Sequence, residues 1–191
     1  MKEAFTALLI EKSFSEITIR ELTERANINR GTFYLHYLDK YDLLEKCEDE
    51  IFQRIEEIAN SESVKKNLKL KQFFSSEQPL PFIINLMEYF KENAPLIKAI
   101  LGPNGDPAFE DKLRKVIADA FLNNVSNIIG ISKLSIPAEL LAEYISSAHV
   151  GAIRYWLNTD MQQSPNEIAT ILFEIALKGP LEASGIKQHL K

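Results

Sequence analysis

Hydrophobic residues recur every three or four positions along most of this chain, which is the spacing of one face of an α-helix. Near the N-terminus, Phe5, Leu8 and Leu9 follow this spacing, and similar stripes recur towards the end of the sequence. Strand-type alternation bounded by turns is absent from the sequence. The pattern therefore predicts an all-α fold.

Interruptions of the pattern set the expected helix ends. Capping residues and prolines stand at the predicted starts, and glycines stand at some of the predicted ends. The predicted helices cover residues 2–13, 19–25, 30–36, 41–59, 79–93, 95–101, 108–130, 137–158 and 164–178. Residues 60–63 and 102–107 are predicted breaks, and the pattern of residues 64–74 is ambiguous.

Three of the predicted helices are short and follow one another near the N-terminus, and their ends carry specific signals. Thr18 and Glu21 have the spacing of a capping box. Asn27 stands in a turn that is expected to need a left-handed backbone, which asparagine tolerates well. Asn29 is a suitable N-cap for the third helix, and Asp39 for a fourth. A second and third helix joined by such a short turn indicate a helix-turn-helix motif.

The third predicted helix divides its ring side chains between core and surface. Phe33 and Tyr37 lie four residues apart, so they share a face that we expect to pack on the domain core. The other side carries hydroxyl, guanidinium, imidazole and ammonium groups, which can donate to phosphates and base edges. These groups belong to Arg30, Thr32, Tyr34, His36 and Lys40. Gly31 is expected to let the backbone come close to another backbone.

The row TIRELTERANINRGTFYLHYLDKYDLL, residues 18–44, resembles the DNA-binding domain of the TetR family of transcriptional regulators. The resemblance implies an all-α fold with an N-terminal three-helix helix-turn-helix domain over residues 1–46, whose motif covers about 18–37. A larger C-terminal helical domain, residues 47–191, would bind an effector and dimerise. The implied function is a sequence-specific DNA-binding regulator, a repressor released by a small-molecule effector. Its implied partners are a palindromic double-stranded DNA operator, an unidentified effector and a second copy of the chain.

The matching positions imply which residues contact DNA. Arg30 and Thr32 would sit at the floor of the groove, and Thr18 would cap the second helix and touch a phosphate. Tyr34, His36 and Lys40 would hold phosphates. The whole set is Thr18, Arg20, Arg30, Gly31, Thr32, Tyr34, His36 and Lys40.

Three roles on the third helix stay open at this point. Arg30 meets either a base or a phosphate, and His36 holds a phosphate or has a purely structural role. Leu35 is exposed in this arrangement, where it meets either a thymine methyl group or a sugar.

Charge leaves a second function open. The chain has 191 residues and a formal net charge of −5. Residues 1–40 contain six basic and six acidic side chains, so this segment is neutral. DNA binding would therefore depend on a few well-placed cations. The alternative is a helical ligand-binding or protein-interaction module that has lost DNA binding.

The last two predicted helices are apolar over more than one face, so each needs a second partner. We expect them to form a four-helix dimer interface with a two-fold mate, and burial within the chain is the alternative. The predicted interface residues are Tyr144, Ala148, Ala152, Tyr155, Trp156, Ile168, Ile171, Leu172 and Ile175.

An effector pocket is predicted from aromatic and apolar residues on three of the longer helices. The apolar stripe at 82, 86 and 90 is predicted to belong to the helical core, and the alternative is that part of it borders a cavity. His149 lies mid-helix and fits either a pocket or a satisfied core position. The candidate pocket residues are Phe82, Leu86, Phe90, Phe121, Val125 and His149.

Catalytic and metal-binding motifs are absent from the sequence, which contains no H-E-x-x-H, C-x-x-C or G-x-x-x-x-G-K. We therefore predict no enzymatic activity, no cofactor and no metal site. The single cysteine, Cys47, fits a buried apolar position, with redox sensing as the alternative. The charged N-terminus and the lack of an apolar run of about 18 residues predict a cytoplasmic protein that does not enter the membrane.

Overall fold

A computed structural model describes residues 1–59, 78–128 and 133–189, and every regular element within them is a helix. The predicted all-α fold is thereby confirmed. The predicted break at 60–63 and the ambiguous segment 64–74 lie outside the described residues. The elements are α1 (Lys2–Glu11), a 3₁₀ helix (Phe14–Glu16), α2 (Ile19–Arg25), α3 (Arg30–His36), α4 (Lys40–Ala59), α5 (Pro81–Glu92), α6 (Ala94–Ile100), α7 (Pro107–Ile128), α8 (Ala138–Asn158), α9 (Pro165–Lys178), α10 (Pro180–Ala183) and α11 (Ile186–His189).

The short N-terminal helices agree closely with the predicted ones. Helices α2 and α3 have the predicted bounds, whereas α1 ends at Glu11 because Lys12 takes an extended backbone, with φ −156° and ψ 166°. Gly179 ends α9 as predicted, with a φ of 74°. The two four-residue helices after it, α10 and α11, were not predicted, because such short segments carry no hydrophobic period.

The chain divides into two compact units. The first contains Met1–Glu57 with Asn93–Phe109, and the second contains Ile58–Glu92 with Glu110–Lys191. The first unit therefore includes most of α4 and all of α6 in addition to the helix-turn-helix segment. The boundary at residue 46 between a DNA-binding domain and an effector-binding domain stays a prediction.

The core of the first unit forms where α1 packs on α2 and α6, and α2 packs on α3. Its fully buried side chains come from all of these helices and from α4. They include Phe5, Leu9, Leu22, Phe33, Leu43, Ile97 and Ile100. Burying each large apolar side chain contributes about 1.5–3 kcal/mol, so these residues hold α3 against the core of the first unit.

A tight loop between α6 and α7 belongs to the same unit. The carbonyl of Asn104 accepts a hydrogen bond from the Phe14 backbone N–H at 3.0 Å. A Cβ at Gly105 would lie 1.9 Å from the carbonyl oxygen of Ile100, so only glycine fits this turn. The predicted loop at 102–107 is therefore an ordered part of the first unit.

The second unit is centred on α9, which packs on α5, α8 and α10. Trp156 is completely buried, and its Nε1–H donates to the carbonyl of Gln163 at 2.9 Å. This bond ties the end of α8 to the turn that leads into α9. Ser164 then caps α9, because its Oγ accepts the backbone N–H of Glu167.

In residues 1–59, 78–128 and 133–189, no helix has the length and apolar composition needed to cross a membrane.

Candidate nucleic-acid interface

The start of α2 is fixed by the predicted capping box. The Thr18 hydroxyl accepts the Glu21 backbone N–H at 3.3 Å, and the Glu21 carboxylate accepts the Thr18 backbone N–H at 3.0 Å. Lys12 forms an ion pair with the same carboxylate. Hydrogen bonds from Lys12 and then from Thr18 lower the pKa of Glu21 to about 2. The carboxylate is therefore charged at neutral pH and holds the first turn of α2.

The turn between α2 and α3 also follows the sequence signals. Asn27 has a φ of 53°, which is the left-handed conformation expected for it. The Ile28 backbone N–H donates back to the Thr23 carbonyl at 3.0 Å. Asn29 then caps α3, since its Oδ1 accepts the Thr32 backbone N–H at 2.8 Å. These contacts fix the direction in which α3 leaves the turn.

The buried side of α3 is built around Phe33, which is fully buried. The rings of Tyr34 and Tyr37 pack around it, with centroids 5.5 Å and 5.4 Å away. Tyr37 is half-buried, and burial raises the pKa of its hydroxyl. The prediction that Phe33 and Tyr37 face the core is confirmed, although Tyr37 lies at its edge.

The outward direction of α3 follows from the position of the buried Phe33 and from helical geometry. At about 100° per residue, Gly31 and Leu35 each lie about 160° from Phe33, on the outward face. Arg30 and Tyr34 lie along one flank of this face. Thr32 and His36 lie along the other flank, and Thr32 is half-buried. On this helical geometry Arg30 and Thr32 lie beside the centre of the outward face, and their place at the groove floor stays a prediction.

The glycine at position 31 was predicted to allow a close approach to another backbone, but a contact within the same turn also explains it. A Cβ at this position would lie 3.1 Å from Asn29 Oδ1, the atom that caps α3. An added methyl group would thus crowd the capping oxygen. Glycine keeps the cap in place and leaves the outward face of α3 open beside Leu35.

Lys40, which the resemblance implied would hold a phosphate, has its ammonium group bonded within the protein. Its ammonium group donates to the carbonyls of Phe14, Ser15 and Ile17 at 3.0, 2.8 and 2.9 Å. It also lies 5.0 Å from the centroid of the Phe14 ring. Because an ammonium group has three N–H donors, all of them are used inside the protein. Lys40 therefore fastens α4 to the 3₁₀ helix.

The other cations of this surface differ in their partners. Arg20 pairs with Glu24 at 2.7 Å, and both side chains are well exposed, so the pair is weak. No carboxylate pairs with Arg30 among the residues that the structure describes. Arg30 is accordingly a cation whose charge is available to an incoming anion. Thr18, at the start of α2, is exposed as well.

Two further exposed residues were not assigned from sequence. Leu38 follows α3 and is 82% exposed, and Tyr41 in the first turn of α4 is 62% exposed. The Leu38 backbone N–H donates to Asp42, which holds the connection between the helices. In the sequence, Leu38 and Tyr41 could have been noticed as apolar residues that do not belong to the hydrophobic spacing of the predicted core.

In the second unit, the candidate interface residues form a buried group and an exposed group, with Ala152 intermediate between them. Trp156, Ile168 and Leu172 are buried in the chain's own core, so they cannot meet a second copy directly. Ala152 is half-buried. The exposed members are Tyr144, Ala148, Tyr155, Ile171 and Ile175. Helical periodicity could not make this division, because both groups lie on strongly apolar helices.

The candidate pocket residues all come from the second unit. Phe90 is buried, and Phe82, Leu86 and Phe121 are half-buried. His149 Nδ1 donates to the Ile145 carbonyl at 2.7 Å, and burial lowers the pKa of the imidazole. The remaining candidate, the side chain of Val125, lies outside what the structure describes.

The first unit has the architecture of a helix-turn-helix protein: a capped second helix, a left-handed turn, and an exposed third helix that carries polar donors. A family model described as bacterial regulatory proteins, tetR family, matches residues 3–47. A second model, described as a transcriptional regulator C-terminal region, matches residues 77–178. The chain therefore belongs to the TetR family of transcriptional regulators.

A curated relative and several solved structures are similar over most of the chain. The chain is 24% identical over 178 residues to the uncharacterized HTH-type transcriptional regulator YxbF of Bacillus subtilis (strain 168). That match covers 92% of this chain but 43% of the relative, so the chain spans less than half the relative's length.

The solved structures show the fold. A TetR transcriptional regulator from Streptococcus agalactiae 2603V has 22% identity and a TM-score of 0.61, covering 92% of this chain and 90% of that one. A Clostridium perfringens putative fatty acid metabolism regulator has 18% identity. FadR from Bacillus subtilis, in complex with stearoyl-CoA, has 16% identity. For both of these the TM-score is 0.63, with 94% of this chain and 97% of the other covered.

Proposed function

We propose that this chain is a sequence-specific DNA-binding transcriptional regulator whose helix α3 enters the major groove. The observation that carries the proposal is the division of α3 between a buried anchor and an exposed polar face. Phe33 holds the helix to its unit, while Arg30, Tyr34 and His36 are exposed. Nothing observed favours the alternative of a module that has lost DNA binding.

The donors on this surface lie on the two flanks of α3 and at the start of α2. Arg30 and Tyr34 lie along one flank of α3, and His36 lies along the other, where they would reach phosphates on either side of the groove. Thr18 and Arg20 stand at the start of α2 and would hold a further phosphate. In this proposal Lys40 positions α4 through its three backbone carbonyl partners rather than by holding a phosphate.

The exposed apolar stripe on α8 supports dimerisation. Leu140, Tyr144 and Tyr155 are each at least 60% exposed and share one face of the helix. Between the two tyrosines, a Cβ at Gly151 would meet no atom within 4 Å, so a second helix can approach closely there. Together with Ile171 and Ile175 of α9, this face would form a two-fold interface. A dimer of this kind would bind a palindromic operator.

The second unit would hold the effector site. In the proposed mechanism the chain is a cytoplasmic repressor, and an effector bound among the half-buried residues of α5, α7 and α8 favours the state with lower operator affinity. The stearoyl-CoA of the Bacillus subtilis structure is a ligand of that protein. That protein has 16% identity to this chain, so the similarity shows a shared fold and does not assign the same ligand to this chain.

Selection of bound duplexes from a random DNA pool tests the proposed function. We expect the selected sequences to share two inverted half-sites, one for each copy of α3. Recovery of no preferred sequence, even at low salt, would contradict DNA recognition. A single half-site without symmetry would contradict the dimer while leaving DNA recognition in place.

A further inference from the structure

Leucine is an unexpected residue at the centre of a DNA-binding face. Leu35 is 81% exposed and lies on the outward side of α3, opposite the buried Phe33. Gly31, one turn earlier, shares that position and carries no side chain. Helical side chains lean towards the N-terminus, so the Leu35 side chain covers the surface above Gly31. The strip that would enter the groove most deeply is therefore apolar.

The chemistry of the major groove restricts what this strip can contact. The base edges there present hydrogen-bond donors and acceptors, and the 5-methyl group of thymine is the apolar group among them. A leucine placed over polar edges would remove those edges from water without replacing their hydrogen bonds, which is unfavourable. Contact with a methyl group removes apolar surface from water on both sides, which is favourable.

We infer that Leu35 is a specificity-determining residue that packs against a thymine 5-methyl group in each operator half-site. This inference rests on the proposed function, and it assigns the reading of a base to a residue with no polar atom. In this arrangement Arg30, Tyr34 and His36 position the helix through the backbone of the DNA. Leu35 and the open surface at Gly31 select the base.

Leu38 provides a matched control on the same unit. It is also a leucine, is 82% exposed, and follows α3 in the chain. It lies outside the helix, beyond the Tyr37 residue that ends α3, so it does not share the outward strip. A general effect of exposed apolar surface on DNA binding would appear equally with Leu35→Ala and with Leu38→Ala.

The test replaces single thymines of the selected operator with deoxyuridine, which removes only the methyl group. We expect one thymine per half-site whose replacement weakens binding of the unsubstituted protein about fourfold, or about fifteenfold when both half-sites are changed. The Leu35→Ala protein should bind the thymine and deoxyuridine duplexes equally. The Leu38→Ala protein should keep the full difference. Fluorescence anisotropy with labelled duplexes measures all of these affinities.

The outcomes separate this inference from the proposed function. If the unsubstituted protein selects an operator but is indifferent to every deoxyuridine replacement, the inference is wrong and the proposed function stands. The inference is equally overturned if Leu35→Ala stays as sensitive as the unsubstituted protein, which would mean that the methyl group contacts another residue. Absence of any selected operator overturns both.

Discussion

At the scale of single residues, Lys40 shows how a side chain can leave the role that its sequence position suggests. The sequence places a lysine just after α3, which resembles a phosphate-binding position. The direction of its side chain depends on where the 3₁₀ helix at Phe14–Glu16 lies, and no local pattern specifies that. In the structure, three carbonyl groups around this 3₁₀ helix take all the Lys40 donors.

Replacement of Lys40 by methionine should therefore lower the free energy of unfolding. The substitution Lys40→Met keeps much of the apolar stem and leaves three backbone carbonyls without their donor. We expect a loss of roughly 2 kcal/mol, because part-buried acceptors that lose a charged donor cost about 1–3 kcal/mol. Urea denaturation followed by circular dichroism measures the change.

Lys46→Met is the matched control for this prediction. Lys46 donates to the His36 carbonyl and to Asp42 at a more exposed position, so its replacement should cost less than about 1 kcal/mol. Equal losses in the two variants would contradict the structural role of Lys40. A Lys40→Met protein with an unchanged free energy of unfolding but a lower affinity for DNA would also contradict it.

At the scale of elements, helix ends with local chemical signals and the buried side of α3 could be predicted from sequence, whereas the packing faces of the strongly apolar helices α8 and α9 could not. The capping box of α2, the left-handed Asn27 and the Asn29 cap depend on residues within a few positions of one another. The buried side of α3 could be predicted because Phe33 and Tyr37 are ring side chains four residues apart. The limit that applies to α8 explains why Trp156 was assigned to an interface although it lies in the core.

The capping box makes the stability of the first unit depend on pH in a defined range. The folded pKa of Glu21 is about 2, below its ordinary value of 4.5, so the folded state favours the ionised carboxylate. Its contribution is complete above pH 4.5 and is lost as the pH falls towards 2. We expect Glu21→Gln to be less stable than the unsubstituted protein near pH 6, and the gap to narrow below pH 4.5.

Denaturation midpoints in urea, measured from pH 6 to pH 2.5, test this dependence. The unsubstituted protein should lose more stability across that range than Glu21→Gln does. Parallel losses in the two proteins would mean that the hydrogen bonds from Lys12 and Thr18 do not stabilise the charged carboxylate.

At the scale of the whole molecule, the proposed regulator is a dimer of two copies of the chain. The exposed stripe on α8 is apolar where a monomer would place polar groups, and Tyr155 is 68% exposed. Its replacement by glutamate would bury a charge in the proposed interface of each copy. The loss of an aromatic side chain from the interface costs about 2 kcal/mol per copy, which raises the dimer dissociation constant on the order of a thousandfold.

Analytical ultracentrifugation of Tyr155→Glu measures this effect directly. Ile10→Glu is the control, because Ile10 is 65% exposed on α1, in the other unit. We expect the control to remain dimeric and Tyr155→Glu to sediment as a monomer. Dissociation of both variants, or of neither, would mean that the α8 stripe is not the interface.

The salt dependence of operator binding tests most directly whether the exposed face of α3 binds DNA. Removal of one cation that binds a phosphate should reduce the slope of log affinity against log salt concentration by about 1. Arg30→Ala should therefore weaken binding and reduce the slope by about 1 for each half-site. The Arg114→Ala control changes an arginine of the second unit that pairs with Glu110 at 2.8 Å, and it should leave the slope unchanged. An Arg30→Ala protein with the same affinity and the same slope as the unsubstituted protein would contradict the assignment of α3 to the DNA.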